Sequence, residues 1–144
     1  MKEAIQQILQ QGHFTSDDEV YRVIHLPSNG ITVAAGVLAE VGEAFSALIA
    51  DAKEVTLVLP DEAYEAYQAR LRDATASPTR YRFITFDSQL DFDVVGFMAV
   101  VSKALADAEI SLLAYAAYHY DHFLVQEDDF ERAMTTLRAL KEQA

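Results

Sequence analysis

The chain has 144 residues, no cysteine and a formal net charge of −12, and 51% of it is apolar. That is enough apolar material for one ordinary domain or two packed halves, while the lack of thiols excludes disulfides, thiolate catalysis and cysteine-type metal sites. The acidic balance repels phosphate backbones and anionic lipid, no run approaches the roughly 20 apolar residues of a membrane span, and the first residues lack a secretory pattern. The expectation is therefore a cytoplasmic protein with no nucleic-acid and no membrane partner.

Ile5, Ile8 and Leu9 fall at helical spacing in Lys2–Gln11, with Gly12 as the stop, and predict a short amphipathic helix. Val20–Leu26 reads as a strand closed by the turn residues Pro27-Ser28-Asn29-Gly30. The next stretch, 31–42, is ambiguous: Ile31-Thr32-Val33 favours strand and Val37–Val41 favours helix. Phe45–Ala50 and Glu54–Leu59 read as a β-hairpin about Asp51-Ala52-Lys53. Pro60-Asp61 then opens a helix whose Tyr64, Tyr67 and Leu71 share one face. Thr75-Ala76-Ser77-Pro78 reads as a linker, because small and polar residues cluster there and the periodicity stops.

In the second half, Arg80–Phe86 is a strand rich in aromatic and β-branched residues, followed by a polar loop over Ser88–Asp93. A helix follows with Val94, Phe97, Met98, Val101, Ala104, Leu105 and Ala108 on one stripe and Asp93 as its N-cap. Ile110–Tyr118 and Phe123–Val125 read as strands joined through Tyr118–Asp121. A last helix from about Asp128 buries Phe130, Ala133, Met134, Leu137 and Leu140, with acids at its positive end and Arg138 and Lys141 near its negative end. Arg70, Arg72, Arg80 and Arg82 are interrupted by carboxylates and a turn, and read as surface.

The order strand, helix, strand, strand, helix fits an α+β fold with an antiparallel sheet and helices on one face. The first half has a similar rhythm, which divides the chain into residues 1–76 and 77–144.

The run Asp93–Leu112, with its Gly-containing turn, its helix and the Ile110 that begins the next strand, resembles the ACT domain. Tyr118–Gln126 and the Ala-rich C-terminal helix are similar to those of small bacterial tandem ACT proteins. The resemblance covers about residues 44–142 well and 1–43 loosely, and implies two ACT-like, ferredoxin-like βαββαβ halves: a degenerate N-terminal one with a leading helix, and a C-terminal one. It also implies a regulatory protein, not an enzyme, that binds a small molecule such as an amino acid and forms a homo-oligomer. In such domains the turn after the first strand offers backbone N–H groups to a carboxylate, as a helix N-terminus does. The corresponding turn here is Leu90–Gly96. Val94, Val95 and Gly96 would line it, Gly96 admitting close approach, and Asp91 or Asp93 would pair with an α-ammonium.

Tyr118, His119, Asp121 and His122 complete the candidate ligand site. His119, Asp121 and His122 also form the one His/carboxylate cluster, of a kind that suits a divalent metal. On a strand, however, 119 and 121 face one way and 122 the other, so convergence needs a turn or bulge. No cofactor is expected: the Gly-rich phosphate loop and the Gly-x-Ser-x-Gly elbow are both missing from the sequence. Two other readings remain: an oligomerisation or interaction module without a ligand, and a metal-assisted enzyme at His119/Asp121/His122.

Overall fold

The computed structural model describes residues 1–144. The chain forms two compact units, one made of Met1–Asp18 with Arg82–Ala144 and the other of Glu19–Tyr81. This division differs from the expected halves at residue 76, because the leading segment packs with the C-terminal part.

The 19–81 unit runs β2 (Val20–Pro27), α2 (Ile31–Leu38), β3 (Ala47–Ala50), β4 (Glu54–Pro60), α3 (Asp61–Tyr67) and β5 (Thr75–Ala76). β4 is central and nearly all apolar, with Val55, Leu57, Val58 and Leu59 fully buried, as expected for a strand covered on both faces. It pairs antiparallel with β2, Val23 facing Val58, and with β3, Leu48 facing Leu57. The hairpin turn closes on Asp51, whose Oδ1 accepts the N–H groups of Lys53 and Glu54 at 2.7 and 2.9 Å. Those two bonds hold its carboxyl below the usual carboxylate range.

The ambiguous stretch after Gly30 is helical, and Ala34 and Val37 seal it against Ile24, Leu26 and Leu57. β-branched residues lose little by joining a helix when that helix is buried. The expected linker is not one. Thr75-Ala76 pairs antiparallel with β2, and the Ser77 N–H donates to the Val23 carbonyl at 2.8 Å. The strand order is therefore β5-β2-β4-β3, and this unit contains a complete βαββαβ run in sequence order.

The other unit begins with α1 (Glu3–Gln11) and β1 (Phe14–Thr15) and resumes with β6 (Tyr81–Phe86), which spans the unit boundary. α4 (Phe97–Asp107), β7 (Leu112–Ala116), β8 (Asp121–Gln126) and α5 (Phe130–Glu142) follow. β8 lies between β6 and β7, and β1 pairs antiparallel with the far side of β6, Phe14 facing Phe86. The order β1-β6-β8-β7 repeats that of the first unit, except that its outer strand comes from the N-terminus. Ile5, Leu9 and Phe14 accordingly share a core with Ile84, Phe86, Phe97, Phe123 and Leu137. The five apolar residues expected to face inward from α5 are all buried.

Arg82 departs from its surface reading. It is half-buried, with its guanidinium carbon 3.9 Å from the Phe130 ring centroid and Nη2 donating to the Asp17 carbonyl at 3.2 Å. α4 ends with Glu109 at φ 59°, and the Ile110 N–H reaches back to the Leu105 carbonyl at 2.9 Å, a left-handed C-terminal turn.

Candidate functional site

In the 19–81 unit the connection from β2 to α2 is the three-residue turn Ser28–Gly30. The equivalent connection from β6 to α4 is much longer, residues 87–96, and it opens a cleft of about 640 Å³. One wall is this loop with the first turn of α4: Leu90, Asp91, Phe92, Val94, Gly96, Phe97, Met98 and Ala99. The other is the β7–β8 hairpin: Ala116, Ala117, Tyr118, His119 and Asp121. Three backbone bonds shape the walls. The Val94 N–H donates to the Asp91 carbonyl at 3.1 Å, the Ala117 N–H to the Tyr120 carbonyl at 2.9 Å, and the Leu90 N–H to the His119 carbonyl at 2.8 Å, joining loop to hairpin.

Gly96 stands at the N-cap position of α4 with φ 97°, a conformation that costs a side-chain-bearing residue and leaves glycine free. A Cβ there would meet nothing within 4 Å, so the backbone conformation, not crowding, calls for glycine. The Val100 N–H donates to the Gly96 carbonyl at 3.1 Å. The N–H groups of Phe97, Met98 and Ala99 precede that first bond, so they have no acceptor within the helix. All three of these residues line the cleft.

Six of the sequence-derived residues come together here: Asp91, Val94, Gly96, Tyr118, His119 and Asp121. Asp93, Val95 and His122 do not. Asp93 is exposed and caps nothing, because α4 starts three residues later than its apolar stripe suggested. Val95 is 70% exposed. His122 follows Asp121 on β8 and so points to the opposite face, where its Nδ1 lies 2.9 Å from Thr85 Oγ1 and its ring 5.0 Å from that of Phe83. The chain contains no group of three His, Cys, Asp or Glu side chains arranged to hold a metal ion, which counts against the metal reading of His119, Asp121 and His122.

Burial pushes the Asp121 carboxyl above its ordinary value, with the neighbouring His122 pulling the other way. Burial also pushes the His122 imidazole below its ordinary value, opposed by Asp121. Neither Asp91 nor Asp121 makes a side-chain hydrogen bond or ion pair within the protein. Phe92 and Tyr118 stand at the mouth as an edge-to-face pair 4.9 Å apart, and the His119 ring lies 4.7 Å from Tyr118. Sequence reasoning placed Phe97 and Met98 only on the core stripe of the helix, and did not single out Phe92, Ala99, Ala116 or Ala117. An aromatic residue between two aspartates in a polar loop was the one usable signal for Phe92.

The order β1-β6-β8-β7 with its two helices is a ferredoxin-like α+β unit, and the cleft lies at the N-terminus of its first helix. Residues 76–139 match the family model of the ACT domain. No curated protein matches the sequence. Among solved structures, a protein of unknown function from Vibrio cholerae is similar over 96% of this chain and 97% of its own, at 21% identity and a TM-score of 0.72. A protein from Agobacterium tumefaciens is similar over 90% and 89%, at 18% identity and a TM-score of 0.70. The ligand-free regulatory subunit of aspartate kinase from Thermus thermophilus is similar over 88% and 96%, at 11% identity and a TM-score of 0.65. At these identities the likeness is one of fold.

Proposed function

We propose that the protein is a non-catalytic sensor that holds a free α-amino acid in the cleft between the 87–96 loop and the β7–β8 hairpin. The observation that carries this reading is the meeting, in one cleft, of the unpaired N–H groups at the start of α4 and the uncommitted carboxylates of Asp91 and Asp121. The helix N-terminus suits an α-carboxylate, and an aspartate suits the α-ammonium. The apolar lining from Leu90, Phe97 and Met98 gives a side chain somewhere dry to sit. The likeness in fold to a regulatory subunit of aspartate kinase supports the regulatory part of the reading. The protein has no helix long and apolar enough to cross a membrane, consistent with a cytoplasmic sensor.

Thermal unfolding against the standard amino acids tests this. A ligand at 100 times its dissociation constant adds about 2.7 kcal/mol, a shift of several degrees for a chain of this size. One or a few amino acids should raise the melting temperature selectively, and a panel without response would remove the sensor reading.

A second reading is favoured by the apolar exposure at the mouth, where Phe92 and Tyr118 are 78% and 71% exposed. In it, this face pairs with a second copy of the chain. A monomer by sedimentation at high protein concentration would count against it.

A further inference from the structure

Helix α2 has the composition of a helix without a solvent face. Its residues, Ile31–Leu38, include no charged side chain and a single polar one, Thr32. A helix that is apolar all round belongs where it is covered all round. Yet only Ala34 and Val37 are buried, and Ile31 and Val33 are 42% and 43% exposed. α2 packs over β3 and β4 while α3 packs over β2 and β4, so α2 is the helix above the outer strand.

That outer strand has the same character. β3 has β4 on one side and an open edge on the other. The Asp51 N–H donates to the Glu54 carbonyl at 3.1 Å. The alternation of an antiparallel ladder then turns the backbone groups of Ala47 and Ile49 toward β4, and those of Leu48 and Ala50 toward the open edge. Native edge strands are commonly blocked by charge, proline or a bulge. Ala47–Ala50 has none of these, and Ile49 is 48% exposed.

Charge decides what fits this flank. With 23 acidic and 11 basic residues, two copies of the chain repel one another through most of their surface. Residues 26–39 and 44–50 contain no charged side chain, and Glu40, between them, is held by Arg70 at 2.9 Å. A second copy meets this flank without repulsion, whereas a basic partner finds little there to attract it. The helix in the equivalent place in the other unit, α4, differs: it exposes Lys103 and Asp107, paired at 2.6 Å. Geometry agrees with charge. A two-fold axis normal to the sheet sets an edge strand antiparallel to its own copy. With the axis at Ile49, Leu48 lies opposite the second copy's Ala50, and the outward N–H and C=O groups of both satisfy one another.

We infer that the protein is a two-fold dimer joined through the α2/β3 flank of the 19–81 unit, β3 pairing with its own copy about Ile49 and the exposed apolar side chains of α2 packing beside that joint.

Sedimentation equilibrium of the full chain tests the association, and a dimer is expected at micromolar concentration. Ile49→Lys sets like charges across the axis and should weaken the dimer at least about tenfold, as should Ile31→Glu on α2. Circular dichroism shows whether each variant is folded. Because the chain has no cysteine, single-cysteine oxidation maps the joint without interference. Ile49→Cys should form a disulfide-linked dimer, since facing residues at such a position stand about 4.5 Å apart at Cα, within the range of a disulfide. Val95→Cys, on the exposed cleft loop, should not. A monomer at high protein concentration would overturn the inference. So would a dimer that keeps its affinity in both charged variants, or one that is linked through Val95→Cys and not through Ile49→Cys, which would move the joint to the mouth of the cleft.

Discussion

The Leu90 N–H donates to the His119 carbonyl at 2.8 Å, so one backbone bond joins the two walls of the cleft. The loop residues beside it, Asp91, Phe92 and Asp93, are exposed. In hydrogen exchange the Leu90 amide should therefore outlast those of Asp91 and Phe92. Equal rates across 90–92 would mean that the loop swings free of the hairpin.

Gly96→Ala puts a side chain on a backbone at φ 97°. The expected cost is about 1 kcal/mol, read by chemical denaturation. Because the new methyl meets no atom within 4 Å, the loss comes from backbone strain. A loss of amino-acid binding larger than the loss of stability would mean that the turn has moved the helix N–H groups.

Helix α1 belongs to the core of the C-terminal unit. A Cβ at Gly12 would stand 2.3 Å from Phe86 Cζ, and Phe86 is fully buried. Gly12→Ala should thus cost about 1–3 kcal/mol by overpacking, and Leu9→Ala about 2–5 kcal/mol by leaving a cavity. Removal of residues 1–15 should expose the 82–144 core to hydrophobic dye. Unchanged melting of these variants would contradict that packing.

Burial lowers the folded-state affinity of His122 for a proton below the ordinary value of 6.5. The unfolded chain then binds more protons than the native one in the window beneath pH 6.5, so stability falls as pH drops through that window. His122→Phe should flatten this slope, at the cost of about 1 kcal/mol at pH 8 from the lost contact with Thr85 Oγ1. A slope that persists in the variant would point to a different titrating group.

Glu109 holds a left-handed conformation at the end of α4, at φ 59°. Glu109→Gly relieves it and should raise stability by about 0.5–1 kcal/mol, seen as a higher melting temperature. No gain would show that the glutamate is held there by something other than the turn.

The strands and helices were legible where local periodicity and burial agree. α5 kept all five expected inward residues because its stripe is long and its exposed face is charged. The start of α4 was not legible, because Val94 continues the apolar stripe while the chain there is still a turn packed on the core. Periodicity records which residues are buried, not which backbone carries them. Six candidate site residues met in the cleft because a loop and a hairpin tip come together there; Asp93 was lost because α4 starts three residues later than its stripe suggested, and His122 because it follows Asp121 on a strand and faces the other way.

The sequence by itself determined the α+β class, the hairpins at Asp51 and Tyr118–Asp121, the ACT resemblance of the second half and the acidic, thiol-free chemistry available to any site. Only the tertiary structure decided that the first eighteen residues complete the C-terminal unit, and that Thr75-Ala76 completes the other. The reason is physical. A two-residue edge strand carries almost no local signal, and its place is fixed by backbone bonds to a strand about 50 or 70 residues away along the chain, which no window of sequence contains.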